Sequence, residues 1–207
     1  MGHSDFETRL KASAVVITVD ANAPRKGSFH RATTQATGVF PSPKLDWRKL
    51  LELRRRMPSD LPWYLKGVQC AEDALQAATV GVTGIIVSNH GGRACGDAIG
   101  SLEATCHDVP SRVAKCRATQ TQSKPVEVYF DSGLRSGRDV LKALCLGARA
   151  VGLGRPYYWA AAVDGDRGAW SSHLFVSFSS CLSGSRTPRS AAFLFVMWVG
   201  EKSMQEC

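Results

Sequence analysis

The sequence predicts an α/β fold of the (β/α) barrel type, in which helices cover a parallel sheet. Short apolar segments alternate with helix-like segments from residue 14 to about residue 158. The apolar segments are nearly continuous, which is typical of strands buried on both faces. Most polar or glycine-rich insertions follow a strand, as the catalytic loops of barrels do. A doubly wound open sheet is the alternative, and the lack of Gly-x-Gly-x-x-Gly after the first segment weakens it.

Five strands are predicted, each as an apolar run rich in β-branched or aromatic residues that ends at a polar or glycine-rich turn. They cover Ala14–Val19, Trp63–Lys66, Gly84–Ser88, Val126–Asp131 and Ala150–Leu153. The main insertion that does not follow a strand is Ala118 to Pro125. The pattern therefore places most loops with polar residues at one edge of the sheet.

Helices are predicted between the strands from apolar spacing and capping signals. They cover Leu45–Met57, Ala71–Val80, the partly helical Ser101–Arg117, and Gly137–Leu146. Asp46 is expected to cap the first helix, and Pro110 interrupts the third. Gly81 and Gly147 end the second and fourth helices, as glycine commonly does.

The segment from Asp164 to Cys207 does not continue this alternation. It is rich in serine and aromatic residues, and Phe175–Ser180 and Phe193–Val199 are compatible with strands. We therefore divide the chain into a barrel part, residues 1–163, and an unmatched tail, residues 164–207. The tail is expected to pack poorly against the barrel.

Composition favours a globular domain that binds small anions. The formal net charge is +8, but lysines and arginines are dispersed, and the run Arg54-Arg55-Arg56 ends a predicted helix, where cations favour the helix dipole. Phosphate or carboxylate ligands are thus expected, and no nucleic acid. The seven cysteines form no Cys-x-x-Cys pair, which argues against a zinc site or a disulfide framework.

The amino-terminal residues predict no secretory signal, because they are polar and charged. The apolar stretch Ala191 to Val199 is far shorter than the ~20 residues of a membrane-spanning helix, so no membrane partner is expected. A cytoplasmic location is predicted, with a mitochondrial or peroxisomal one left open.

The strongest candidate site is the segment Ser88 to Arg93, which reads Ser-Asn-His-Gly-Gly-Arg directly after a predicted strand. His90 can transfer a proton near neutral pH, and Arg93 can bind a carboxylate with two parallel hydrogen bonds. The paired glycines let the backbone approach a ligand closely. These properties indicate a site that oxidises or rearranges a small acid. A surface turn that holds His and Arg by chance is the alternative.

Polar residues also follow the other predicted strands. Asp20 is placed to orient His90 and to stabilise its charged form, and Lys66 to lie near a negative charge on a bound ring. Glycine amides and arginines after the last two strands suit a phosphate. The candidate site residues are Thr18, Asp20, Lys66, Ser88, His90, Arg93, Asp131, Gly133, Arg135, Gly154 and Arg155.

Five motifs, in order along the chain, resemble those of a known family. They are Leu65–Val68, Ala71–Ala74, Gly84–Arg93, Asp139–Leu144 and Leu146–Pro156. Together they resemble the FMN-dependent L-2-hydroxy acid dehydrogenases, which include glycolate oxidase and the flavin domain of L-lactate:cytochrome c oxidoreductase. The resemblance runs from about residue 14 to residue 158. It implies about five of the eight strand–helix units of a barrel, FMN as cofactor, and oxidation of a lactate- or glycolate-type acid to a 2-oxo acid.

The resemblance also implies a role for each candidate residue. His90 resembles the catalytic base, Asp20 the carboxylate paired with it, and Arg93 the arginine that holds the substrate carboxylate. Flavin contacts are implied for Thr18, Lys66 and Ser88, and ribityl and phosphate contacts for Asp131, Gly133, Arg135, Gly154 and Arg155. No metal is implied. The implied partner is a small 2-hydroxy acid, the electron acceptor stays open, and a homo-oligomer is compatible with the sequence.

The chain departs from the family pattern in three places. Arg25–Ser28 stands where the family has a second substrate-binding arginine, and Ser132 stands where it has glycine. The family's first three strands, with a substrate-binding tyrosine pair, have no counterpart. Two hypotheses therefore stand: an FMN-dependent dehydrogenase whose remaining barrel units are needed for activity, or a non-catalytic remnant or interaction module of that fold.

Overall fold

The computed structural model describes residues 13–20, 45–93, 97–106 and 126–182. Its strands are β1 (Val15–Thr18), β2 (Trp63–Val68), β3 (Gly84–Val87), β4 (Glu127–Phe130) and β5 (Ala150–Val151). Its helices are α1 (Trp47–Arg56), α2 (Ala71–Thr79), α3 (Ser101–Cys106), α4 (Gly137–Cys145) and α5 (Arg155–Leu182). A 3-10 turn, His90–Gly92, lies between β3 and α3. All five predicted strands are present; β2 is longer than predicted and the others are shorter.

The five strands form one parallel sheet in the order β1-β2-β3-β4-β5. The register aligns Thr18 with Lys66, Lys66 with Ile86, Ile86 with Tyr129, and Tyr129 with Ala150. Spatial order follows chain order without reversal, as in a barrel, whereas a doubly wound sheet reverses direction at a switch point. The barrel prediction is confirmed and the doubly wound alternative is wrong. The carboxyl ends of all strands therefore meet at one edge.

One face of the sheet packs against the helices and forms the core. Trp63 and Leu65 of β2 and Phe130 of β4 are at most 1% exposed, and they belong to one apolar cluster with α2 and α4. Burying each such side chain stabilises the fold by about 1.5–3 kcal/mol. The Trp63 indole also donates a hydrogen bond to the Gly81 carbonyl at 2.9 Å, so its polar atom is satisfied.

Local capping holds the helices at the predicted places. Asp46 accepts a hydrogen bond from the Lys49 amide at 2.8 Å and begins α1, as predicted. Ser136 and Asp139 form a capping box at the start of α4. Burial opposes ionisation of Asp139, but hydrogen bonds from Ser136 and from the Arg135 and Ser136 amides outweigh it and lower the pKa of this carboxyl. These caps fix the loops that enter α1 and α4.

The tail differs from the sequence prediction. Phe175–Ser180, expected to be compatible with a strand, lies inside helix α5. Phe175 and Phe178 are three residues apart, a spacing that fits one face of a helix, whereas a strand would place them on opposite faces. A break at Asp164 and Gly165 interrupts α5. The helix leaves large side chains in solvent, including Trp170 at 67% exposure, in line with the expected poor packing.

Several predictions fall outside the described residues: the helix Ser101–Arg117 beyond Cys106, the segment Arg25–Ser28, and the tail strand Phe193–Val199. Within the described part, no helix combines the length and apolar character needed to cross a membrane.

Candidate active site

A histidine–carboxylate pair lies at the carboxyl edge of the sheet. Asp20 follows β1 and His90 follows β3, and their Oδ1 and Nδ1 atoms are 2.9 Å apart. The Asp20 side chain is 5% exposed and that of His90 is 39% exposed. The contact predicted from the strand-end positions is therefore present. In this pair, the Asp20 carboxylate is buried while the His90 imidazole keeps access to solvent.

Gly67 makes room for this pair. It has φ +110°, and a Cβ built on it would lie 2.5 Å from the Asp20 Cβ. An L side chain would thus be strained in backbone and would overlap Asp20. The second carboxylate oxygen of Asp20, Oδ2, is buried without a hydrogen-bond partner among the described residues.

The turn that carries His90 is held by its own side-chain contacts. Asn89 accepts a hydrogen bond from the Gly92 amide at 3.1 Å. The Asn89 backbone amide donates a hydrogen bond to Ser101 Oγ at 3.0 Å, which connects the turn to α3. Arg93 follows the turn, and its backbone amide donates to the His90 carbonyl at 3.4 Å. Its guanidinium is exposed and has no partner within the described ranges.

A second charged pair lies beside the turn. Lys66 Nζ is 3.1 Å from Asp131 Oδ2 and donates a hydrogen bond to Ser88 Oγ at 3.0 Å. Both charged side chains are less than one-fifth exposed, and Ser88 is fully buried. Ser88 Oγ also accepts the His90 amide at 3.1 Å. The ends of β2, β3 and β4 are thus connected by side chains. Lys66, Ser88 and Asp131 lie at the strand ends as predicted, while their mutual contacts were not predicted.

The remaining candidates lie at the same edge with fewer contacts. Arg155 donates from Nη2 to the Gly91 carbonyl at 2.6 Å, which joins the loop after β5 to the turn. Arg135 is exposed, and only its backbone amide has a partner among the described residues, Asp139. A Cβ at Gly133 or Gly154 would meet nothing within 4 Å, so the backbone there is open. Thr18, aligned with Lys66, is exposed.

A polar cluster that the sequence did not predict lies one row of side chains further from this edge. Glu127 accepts hydrogen bonds from the hydroxyls of Tyr129 at 2.7 Å and Tyr64 at 3.4 Å, and it pairs with Arg149 at 3.0 Å. The two rings meet edge to face with centroids 5.6 Å apart. Burial and Glu127 raise the pKa of both phenols, so they stay protonated donors. Side chains alternate along a strand, so Tyr64 and Lys66 lie on one face of β2. This spacing could have predicted that Tyr64 lies on the same face as the candidate site.

The described residues contain no group of three His, Cys, Asp or Glu side chains that could hold a metal ion. The arrangement instead offers a buried carboxylate behind an accessible imidazole, a fixed ammonium, and arginines next to open glycine backbone. Such a set suits proton transfer beside an anionic organic ligand.

This fold and site define a class of barrel proteins with groups suited to proton transfer beside an anionic ligand, and comparison with known proteins gives the family. Residues 4–174 match the model of a family described as FMN-dependent dehydrogenase. The chain belongs to this family. The matched range includes the beginning of the segment from Asp164, while the division of the chain at residue 163 stays a prediction.

Relatives cover most of this chain. It is 35% identical over 168 residues to L-lactate dehydrogenase (cytochrome) from Saccharomyces cerevisiae, which is 81% of this chain and 27% of that protein. It is 44% identical over 167 residues to human 2-hydroxyacid oxidase 2, which is 79% of this chain and 42% of that protein. The chain therefore spans less than half the length of these relatives.

Solved structures show the same fold. The recombinant flavin-binding domain of baker's yeast flavocytochrome b2 superposes with a TM-score of 0.70 at 32% identity, over 86% of this chain and 46% of that one. Mandelate oxidase superposes with a TM-score of 0.64 at 33% identity, over 85% and 52%. The five strand–helix units thus correspond to part of a larger barrel.

Proposed function

We propose that this chain carries the catalytic edge of an FMN-dependent enzyme that oxidises an L-2-hydroxy acid of the lactate or glycolate type to the 2-oxo acid. The observation that carries the proposal is the 2.9 Å contact between His90 Nδ1 and the buried carboxylate of Asp20. The names of the relatives, a lactate dehydrogenase and a 2-hydroxyacid oxidase, support the substrate class.

His90 acts as the base. Asp20 accepts the Nδ1 proton, which leaves the Nε2 lone pair free to take a proton from the substrate. The resulting imidazolium is stabilised by the carboxylate of Asp20, whose second oxygen has no other partner among the described residues. Oxidation removes two electrons and two protons from the hydroxy acid, and His90 takes one of those protons.

Arg93 binds the substrate carboxylate. It lies three residues after His90 on the same turn, so that the base and the anion-binding group are positioned together. Its exposed guanidinium forms no ion pair with any described residue. A guanidinium can bind a carboxylate through two parallel hydrogen bonds.

The donor set fits FMN, which is anionic at its phosphate. Lys66, Ser88 and Thr18 would hold the ring and Asp131 the ribityl hydroxyls. The open backbone at Gly133 and Gly154, with Arg135 and Arg155, would hold the phosphate. FMN held by these residues would supply the acceptor for the electron pair and the second proton. Lys66, held by Asp131 and Ser88, supplies a fixed positive charge that favours a negative ring.

Anaerobic reduction tests this function. The full chain is mixed with FMN, flavin binding is followed by fluorescence, and L-lactate or glycolate is then added while the flavin absorbance is recorded. We expect His90→Gln to bind FMN as the unaltered chain does. Any flavin reduction that the unaltered chain supports, alone or with the remaining barrel units supplied, should be at least about a hundredfold slower in His90→Gln. Reduction that survives His90→Gln at an unchanged rate contradicts the assignment of the base.

A second candidate is a non-catalytic member of the family. The chain spans 27% of the yeast lactate dehydrogenase and 42% of the human oxidase, so the whole activity of those proteins is not carried over to it by similarity alone. This candidate predicts that FMN binds without reduction by either acid, or that it does not bind. Location in the cytoplasm, and function without nucleic-acid or membrane partners, also stay proposals.

A further inference from the structure

The loops after β3 and β4 share an unusual backbone conformation. His90 has φ 55° and Ser132 has φ 77°, and within the described ranges they are the non-glycine residues with positive φ. An L residue in this region is strained because its Cβ crowds the backbone. Such strain persists where surrounding contacts over-determine the conformation, and it clusters at functional sites. The contacts of Ser132 show what holds it there.

The Ser132 hydroxyl joins the two loops. Its Oγ accepts the backbone amide of Gly91 at 2.9 Å and donates to Asp131 Oδ1 at 2.9 Å. It also lies 3.4 Å from Ser88 Oγ. A serine hydroxyl has one hydrogen, and here it goes to Asp131. Ser88 is therefore the donor of the contact between the two hydroxyls.

These bonds close a ring around the His90 turn. Asp131 pairs with Lys66, Lys66 donates to Ser88, and Ser88 accepts the His90 amide. Ser132 accepts a hydrogen bond from the next backbone amide, that of Gly91, and donates one to Asp131, which closes the ring. Two successive backbone amides of the turn are thus held by two hydroxyls, both of which are attached to the Lys66–Asp131 ion pair. Movement of the turn alone, or of the ion pair alone, breaks at least one of these hydrogen bonds.

We propose that Ser132 is a positioning residue that fixes the His90–Gly92 turn against the Lys66–Asp131 pair. It keeps the base and the fixed ammonium in one geometry. The role of His90 as base rests on the proposed function, whereas the coupling of the two loops is a property of this chain by itself. The strained φ of Ser132 is retained because glycine, which would relieve it, has no hydroxyl.

Two substitutions separate the hydroxyl from the strain. Ser132→Gly removes both, and Ser132→Ala removes the hydroxyl but keeps the strain. The control is Ser136→Ala, which removes the cap of α4 and lowers overall stability without touching the ring of bonds. If the hydroxyl positions the turn, both Ser132 variants share one local effect that Ser136→Ala lacks.

Amide hydrogen exchange of the full chain without flavin measures that effect. We expect the Gly91 amide to exchange about fivefold faster in Ser132→Gly and in Ser132→Ala, and at the unaltered rate in Ser136→Ala. The Nδ1–H resonance of His90 should broaden in both Ser132 variants only. An unchanged Gly91 amide in Ser132→Gly, or an equal change in Ser136→Ala, overturns the proposal. Faster exchange together with no flavin reduction in any variant upholds the coupling and counts against the proposed function.

Discussion

The two faces of the sheet use the same strands for different purposes. On the helix-packed face, Leu65 and Phe130 are almost fully buried in one apolar cluster. On the opposite face, Lys66 and Asp131, each the next residue along the chain, form a partly exposed ion pair. Alternation along a strand thus separates the side chains that stabilise the fold from those proposed to form the active site. Substitutions on the two faces should accordingly differ in kind as well as in size.

The largest effect is expected on the helix-packed face. Phe130→Ala removes a ring that is 1% exposed and should lower the free energy of unfolding by about 3–5 kcal/mol. Tyr129→Phe, its neighbour on the other face, loses one hydroxyl bonded to Glu127 and should cost about 1 kcal/mol. Denaturant unfolding of both variants measures the difference. Equal losses in the free energy of unfolding would contradict the conclusion that the helix-packed face contributes more to stability than the opposite face.

A smaller effect is expected at Gly67, the backbone position that makes room for the His90–Asp20 pair. Gly67→Ala forces an L residue into φ +110° and into overlap with Asp20, which should cost at least about 1 kcal/mol and displace the His90–Asp20 contact. Gly133→Ala is the matched control, because φ is +78° there but a Cβ meets nothing within 4 Å. The Nδ1–H resonance of His90 should disappear in Gly67→Ala and persist in Gly133→Ala. Loss in both would show that backbone strain, not overlap with Asp20, disturbs the pair.

The smallest effect is a pH dependence from the tyrosine cluster. Burial and Glu127 raise the pKa of the Tyr129 phenol above its unfolded value near 10, so the folded state keeps this proton when the unfolded state has lost it. Its contribution to stability is complete below about pH 10 and is lost as the pH rises from there towards the folded pKa. Unfolding free energies at pH 8 to 11 should fall less steeply for Tyr129→Phe. An identical pH dependence of the unfolding free energy in both proteins would show that Tyr129 does not contribute to it.

Local signals predicted the elements well because their causes are local. The N-cap at Asp46 and the apolar run Gly84–Val87 depend on nearby residues, and both are where the sequence places them. The strand interpretation of Phe175–Ser180 was wrong because it rested on the β-propensity of aromatic residues, whereas the three-residue spacing of Phe175 and Phe178 fits the helix that follows β5. The His90–Asp20 contact was predictable because strand ends of a parallel sheet share one edge.

The sequence by itself determined the strand–helix alternation, the parallel sheet and the edge at which the site lies, since these follow from periodicity and turn residues. Only the tertiary structure decided which polar side chains meet. The bonds from Ser132 to Gly91 and from Tyr64 to Glu127 join residues 41 and 63 positions apart. Their geometry depends on strand register and on the left-handed conformation of Ser132, which no local pattern specifies. Contacts made across strands are chosen by packing, because the same side chain fits several registers until its neighbours are in place.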